Sequence, residues 1–277
     1  MLAAARAAVA AALDEDAATR DVTTRLLVPE RLDGRAVVVA RAGGVISGQM
    51  LASLVYERLG GARWTALLPD GSSVGAGDTI ARVEGRLRAL LSGERTALNF
   101  LGRLSGVATL TAAFVRAAAG SGVRILDTRK TTPGLRLFEK RAVADGGGTN
   151  HRADLASLIL VKENHIAAAG GIEAVIDALG DRLDHSEIEV TGVEELRALS
   201  GSPPGRVMLD NFAPEDVVRA VEEISRWPRR PQIEVSGGVT LANVVSYAVP
   251  GVDFISVGSL TNSAPALDLS MLVEEIS

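Results

Sequence analysis

Cysteine is absent from this chain of 277 residues. A disulfide scaffold, a cysteine nucleophile, an iron–sulfur cluster and a thiolate zinc site are therefore all excluded. Histidine is nearly absent too. Only His151, His165 and His185 exist, so a three-histidine metal centre would need every one. Aromatic residues are only 3% while alanine is abundant, a bias that points to a GC-rich genome rather than to a function. No long uncharged apolar run is present. Met1–Leu13 is alanine-rich, but Arg6 interrupts it and Asp14, Glu15 and Asp16 follow, so neither a spanning helix nor a secretory signal is expected. The charge excess is mild at −5, which argues against a general nucleic-acid surface and leaves room for a local basic pocket. What remains is ordinary globular composition, 47% hydrophobic and 23% charged, enough to bury a core in one or two domains. The expectation is a soluble, cytoplasmic protein without membrane or nucleic-acid partners.

The first third mixes helix and strand. Residues 2–14 read as a helix of modest amphipathicity, Arg35–Arg41 as a short apolar strand, and Met50–Leu59 as a helix after the Gly44–Gly48 turn. Trp64–Leu68 and Thr79–Val83 read as strands around the turn-rich Pro69–Asp78, which fits a small α+β domain. Ser92 is a candidate N-cap for a helix over Glu94–Leu104, and a second helix, Val107–Ala119, is expected after a break at Ser105–Gly106. Leu98, Leu101 and Leu104 lie near one face of the former. Arg95, Asn99 and Arg103 share another, for which the simplest reading is a solvated surface.

From residue 122 short apolar strands alternate with helices. The strands are Val123–Asp127, Leu158–Lys162, Glu187–Val190, Arg206–Asp210, Gln232–Ser236 and Asp253–Val257, and Ala142–Gly148 is a place where another could hide. Helical patterns at Ile172–Leu183, Pro214–Ser225 and Leu241–Ala248 lie between them. Such alternation implies a parallel sheet, and a β/α barrel suits it better than an open sheet because several strands end on polar residues. Active sites of these barrels sit at the carboxyl ends of the strands. Those ends carry Asp127 to Lys130, Lys162 to His165, Glu189, Asp210–Asn211, Ser236–Gly237–Gly238 and Gly258. Cations, carboxylates and glycines together suit a polyanionic substrate with a divalent cation: Arg and Lys hold oxyanions, Mg²⁺ takes one or two carboxylates plus phosphates and water, and glycine backbone N–H groups receive phosphate. Each piece alone has a plainer reading. Lys162 with Glu189 or Asp210 could be a structural ion pair, Ser236–Gly237–Gly238 a turn, and His151–Arg152 a surface pair.

The ordered set Leu126–Gly134 (LDTRKTTPG), Leu137–Lys140, Gly146–Arg152 (GGGTNHR), Leu160–Ile166 (LVKENHI), Val207–Phe212 (VMLDNF), Glu234–Val239 (EVSGGV) and Ile255–Thr261 (ISVGSLT) resembles the signature of the quinolinate phosphoribosyltransferase family, the carboxylating nicotinate-nucleotide pyrophosphorylases. Glu94–Gly106 and Asp21–Thr24 (DVTT) fit as well. The match runs in order along essentially the whole chain.

The resemblance implies an incomplete, seven-stranded β/α barrel with a smaller N-terminal α/β sandwich domain. The expected division is 1–107 and 108–277, with the C-terminal tail returning to the first domain. It implies phosphoribosyl transfer from phosphoribosyl pyrophosphate to the ring nitrogen of quinolinate with loss of CO₂, using Mg²⁺. It also implies a homodimer with shared sites, with assembly beyond the dimer left open. By resemblance, Arg129, Arg152 and Lys162 bind the quinolinate carboxylates, with His151 nearby and Arg95 reaching in from the partner subunit. Lys130 contacts substrate or phosphate oxygens, Glu189 and Asp210 bind the ribose hydroxyls and the metal, and Ser236, Gly237 and Gly258 hold phosphate oxygens.

The chain departs from the family's usual pattern at several positions. Glu163 stands for Asp, Asn262 for a His near the phosphate end, Asp154 and Ser157 for Gly and Asp, and Asp145 for Cys. Glu15–Asp21 lacks the usual glycines. A paralogue acting on another heteroaromatic carboxylate is therefore the leading rival. A molybdenum-linked relative, a Schiff-base enzyme using Lys162 and a non-catalytic binding protein stand behind it.

Overall fold

A computed structural model describes the whole chain, residues 1–277. In order it contains α1 (Leu2–Glu15), α2 (Val22–Leu27), β1 (Asp33–Ala40), β2 (Gly44–Val45), α3 (Gln49–Leu59), β3 (Ala62–Ala66), β4 (Ser73–Val74), β5 (Thr79–Arg86) and α4 (Leu87–Ala117). There follow β6 (Arg124–Leu126), α5 (Arg136–Asp145), β7 (Ile159–Val161), α6 (Glu163–Ala169), α7 (Ile172–Leu179), β8 (Ser186–Val190), α8 (Val193–Ala198), β9 (Arg206–Asp210), α9 (Pro214–Ile224), β10 (Gln232–Ser236), α10 (Val244–Tyr247), β11 (Phe254–Ser256), α11 (Ser259–Asn262) and β12 (Leu269–Ile276). The chain divides into two compact units. The first holds Met1–Ala112, Thr131–Gly147 and Leu260–Ser277, and the second Ala113–Lys130 and Gly148–Ser259.

The first unit is built on an antiparallel sheet ordered β12-β1-β5-β3. Ala36 to Ala40 of β1 are buried on both faces, as an apolar run without alternation requires. Helix α3 buries Leu51, Leu54, Val55 and Tyr56, and Tyr56 stacks on Trp64 of β3 with ring centroids 5.8 Å apart. The Trp64 indole N–H donates to Gln49 Oε1 at 2.7 Å, so its one polar atom is satisfied inside the core. Asp21 opens α2 by accepting the Thr24 N–H at 2.9 Å. The Thr24 hydrogen bonds hold the Asp21 carboxyl below its ordinary value.

Helix α4 corrects the expected break. Ser105 and Gly106 lie inside one helix of 31 residues, and Ser92 is an interior residue whose hydroxyl donates to Asp21 Oδ2 at 3.0 Å. The residues that look like helix breakers are contact residues. A Cβ on Gly106 would fall 2.0 Å from the Pro265 carbonyl oxygen, so only glycine lets that backbone lie on the helix. Ser105 Oγ accepts the Ser47 N–H at 3.0 Å. By length and composition alone α4 is long and apolar enough to cross a membrane, yet 56% of its apolar window is buried within the molecule, as for a core helix.

The second unit carries a parallel sheet ordered β6-β11-β10-β9-β8-β7. All six strands read from the sequence are present. The seventh position is reduced to one residue: Thr149 bridges Leu126 in parallel, donating to the Ile125 carbonyl at 2.8 Å. It follows the segment suspected of hiding a strand, most of which forms α5 instead. This is an incomplete β/α barrel. No pairing joins β7 back to Thr149.

Candidate active site

Successive carboxyl ends of the barrel strands carry the predicted residues. Past β6, Asp127 is fully buried and its Oδ1 accepts the His151 N–H at 2.8 Å, which ties the segment carrying His151 and Arg152 to the sheet. Arg152 is lowered from the ordinary arginine range by burial and by the neighbouring Arg129, so the site holds two guanidiniums near enough to repel each other. Arg152 Nη1 also donates to the Leu158 carbonyl at 3.0 Å. Lys130 lies against Gly258: a Cβ there would sit 2.9 Å from Lys130 Cδ and 3.8 Å from its Nζ. Glycine at 258 thus makes room for the lysine.

On the neighbouring strands, Lys162 Nζ donates to Glu189 Oε2, and Asp210 Oδ2 accepts the Asn211 Nδ2–H at 2.7 Å. Ser236 is paired in register with Asp210, and its carbonyl accepts the Asn211 N–H at 2.8 Å. Asn211 has φ +58 and Gly237 φ +88. A Cβ on Gly237 would strike Asn211 Oδ1 at 2.2 Å, so that glycine is required by close packing as well as by its backbone. His165 orients its own loop, its Nδ1 accepting the Lys162 N–H at 2.9 Å.

His151 is buried with both ring nitrogens engaged. Nδ1 accepts the Arg152 N–H at 2.7 Å, which leaves Nε2 to donate to Glu187 Oε2 at 3.0 Å, with Glu234 Oε2 at 3.6 Å. The Arg206 guanidinium lies 2.9 Å from Glu234 Oε2 and over the Phe254 ring at 4.2 Å. The ligand atoms of His151, Glu187 and Glu234 lie within 4.8 Å of one another, but Arg206 already serves as their cation. Glu187 and Arg206 were missed at the sequence level. The available signal was a charge at alternate positions of otherwise apolar strands, which places it inside the barrel.

Burial, reinforced by Glu187, lifts the Glu234 carboxyl from 4.5 to about 7. A raised carboxyl binds its proton more tightly when folded, so the fold loses stability as pH climbs from 4.5 towards 7. Glu234→Gln removes that loss, at most about 3 kcal/mol. The melting temperature of the variant relative to wild type is expected to rise across this window, and a pH-independent difference would show that Glu234 carries no shifted proton.

The structure does not place Arg95 on the barrel strands. It lines a pocket of about 350 Å³ in the first unit with Asp16, Arg20, Asp21 and Ser92. Arg103, from the same helical row, is not solvated. It pairs with the buried Glu139 at 2.7 Å. Among the departures, Asp154 Oδ1 accepts the N–H groups of Ala156 at 3.0 Å and Ser157 at 2.9 Å, bonds that hold its carboxyl below the ordinary range. Asp145 accepts the Ser47 hydroxyl at 2.8 Å. Asn262 accepts the Ser263 hydroxyl at 2.6 Å.

The model of the quinolinate phosphoribosyl transferase N-terminal domain matches residues 21–105, and that of the C-terminal domain matches 107–272. The chain belongs to the quinolinate phosphoribosyl transferase family. A probable nicotinate-nucleotide pyrophosphorylase [carboxylating] of Synechocystis sp. is 40% identical, covering 87% of this chain and 83% of the relative. The Homo sapiens nicotinate-nucleotide pyrophosphorylase [carboxylating] is 38% identical over 86% and 81%. Among solved structures, the nicotinate-nucleotide pyrophosphorylase from Francisella tularensis superposes with a TM-score of 0.91 at 39% identity, covering 99% of this chain and 97% of its own.

Proposed function

We propose that the protein transfers phosphoribose from phosphoribosyl pyrophosphate to the ring nitrogen of quinolinate and releases CO₂, yielding nicotinate mononucleotide and pyrophosphate for NAD biosynthesis. The observation that carries this reading is the pairing of Arg129 and Arg152, with Arg152 lowered by burial and by the Arg129 guanidinium beside it. Such a pair is relieved by a dianion, and quinolinate brings two adjacent carboxylates. Lys162 supplies a third cation when it turns from Glu189 to the substrate. Its engagement as an ion pair is the opposite of what a Schiff-base lysine needs.

Transfer proceeds as the pyridine nitrogen approaches the anomeric carbon and pyrophosphate departs. Glu189, once free of Lys162, and Asp210 face the ribose, where carboxylates stabilise developing oxocarbenium charge. Lys130 and the Gly258 and Ser236–Gly237 backbones hold phosphate oxygens. After ring-nitrogen alkylation the positive nitrogen stabilises the carbanion left as the carbon–carboxylate bond breaks, and that carbon then takes up a proton from solvent, so no side-chain nucleophile is required. The chain contributes positioning and charge. Glu189 and Asp210 offer only oxygen donors from adjacent strands, a set that fits Mg²⁺ completed by substrate phosphates, and the ion would neutralise charge on the leaving pyrophosphate.

A homodimer is part of this proposal. Val22, Leu26 and Leu27 of α2 are strongly exposed, and α2 begins at the wall of the Arg95 pocket. A second copy covering this apolar surface would bring Arg95 to its own barrel site.

One observation favours a second reading, transfer to a different heteroaromatic carboxylate. Asp154 lies within electrostatic reach of both Arg129 and Arg152, so an acid shares the base-site cations. The test is a product assay with Mg²⁺, phosphoribosyl pyrophosphate and quinolinate, reading nicotinate mononucleotide by mass spectrometry and CO₂ by trapping. Turnover supports quinolinate. Folded protein that binds phosphoribosyl pyrophosphate yet makes no product removes quinolinate and selects the second reading, to be followed with a panel of heteroaromatic acids.

A further inference from the structure

Arg103 and Glu139 have no part in the reaction proposed above, yet they form the most heavily bonded buried ion pair of the first unit. The Glu139 carboxylate is wholly buried and receives Arg103 Nε at 3.1 Å, Arg103 Nη2 at 2.7 Å, the Thr132 N–H at 2.9 Å and the Thr132 hydroxyl at 2.8 Å. Arg103 uses its other donor sites on the Ala264 carbonyl at 2.9 Å and on the Thr261 carbonyl. A buried pair is seldom worth its desolvation as stability alone. This one fastens two segments distant in sequence, Thr132 through the Glu139 carboxylate and Thr261 with Ala264 through the Arg103 guanidinium.

Those segments continue directly from residues of the phosphate end. Thr132 lies two residues after Lys130, and Thr261 lies three after Gly258. Within the second unit the Lys130 side chain rests on Gly258, so the two segments start from one point there. In the first unit the same ion pair fastens both. Arg152, Lys162 and Glu189 sit on other segments, so of the base end only Arg129 shares a segment with Lys130.

We propose that Arg103 and Glu139 are positioning residues for the phosphate end of the site. By fastening Thr132 and Thr261, the pair sets where Lys130 and Gly258 meet the phosphates of phosphoribosyl pyrophosphate, and it reaches the base end only through Arg129. The proposal rests on the assignment of Lys130 and Gly258 to phosphate binding.

The test compares wild type with Arg103→Lys, Glu139→Gln and the double variant Arg103→Met/Glu139→Met. Steady-state kinetics give KM for phosphoribosyl pyrophosphate, calorimetry gives Kd for quinolinate alone, and thermal melting reports the fold. The expected result is a rise of about tenfold or more in KM for phosphoribosyl pyrophosphate, with a several-fold smaller change in Kd for quinolinate. Arg103→Lys keeps the charge but not the fork, so it should lie between wild type and the double variant. The double variant replaces the buried charges with apolar volume but leaves the Thr132 N–H and the Thr261 and Ala264 carbonyls without their partners, so its melting temperature should fall while its KM stays raised. Should it fail to fold, the two conservative variants decide the matter. A wild-type KM in folded variants overturns the proposal, as does an equal loss of quinolinate affinity, which would mark a purely structural pair. Failure of the underlying assignment looks different: Lys130→Ala would then leave KM for phosphoribosyl pyrophosphate at the wild-type value in an enzyme that still turns over.

Discussion

Arg129→Ala should lower kcat/KM for quinolinate by about 10²- to 10³-fold or more, with most of the loss in quinolinate binding. Truncating one side of a desolvated, hydrogen-bonded charge pair costs about 2–5 kcal/mol, and each 1.4 kcal/mol is about tenfold. Arg129 stands close enough to Arg152 to lower it, a repulsion that a bound dianion offsets. Removing Arg129 relieves that repulsion in the free enzyme and removes the reason for a dianion to settle there. Arg129→Lys should recover part of the binding but not all, because an ammonium supplies charge without the planar fork that grips a carboxylate. The decisive measurements are KM for each substrate and a calorimetric Kd for quinolinate. A variant whose quinolinate kinetics match wild type would place the base site elsewhere. A comparable rise in KM for phosphoribosyl pyrophosphate would mean that Arg129 serves the phosphate end instead.

Legibility in the sequence follows the range over which each feature is determined. The six barrel strands were readable because apolar runs ending on polar residues report local burial and chain direction together, and their ends carry the residues proposed for the site. Helix α4 was misread because Ser105 and Gly106 break helices by propensity, whereas here they admit Ser47 and the Pro265 backbone, contacts made across 58 and more residues. The Glu187–Glu234–Arg206 network was hidden for a related reason. A glutamate amid valine and isoleucine says that it points into a barrel, but its partner lies on another strand. The row Arg95, Asn99 and Arg103 shows both limits at once. Spacing put the three on one face, and the solvated reading then failed for Arg103, whose partner Glu139 is 36 residues away. For Arg95 the needed partner is expected outside the chain altogether.

That expectation gives the second large effect. Arg95→Ala and Lys162→Ala should each be inactive as pure proteins, and mixing them should restore activity. If Arg95 of one subunit completes the site containing Lys162 of the other, a mixed dimer holds one site with both substitutions and one with neither. Random re-association makes about half of the dimers mixed, and each of those has one intact site of two, so recovery tops out at about a quarter of wild type. If Arg95 instead served its own subunit, both sites of the mixed dimer would be damaged and no activity would return. The geometry of the first unit is compatible with export of the side chain. Arg95 opens onto a pocket it shares with Asp16, Asp21 and Ser92, and α2 beside it carries an exposed apolar row unsuited to water. Lys162 bonds Glu189 at the barrel end, so the two variants damage separate halves of a site rather than one common contact. Verified mixed dimers that stay inactive would remove the shared site and with it the reason for Arg95 to lie off the barrel.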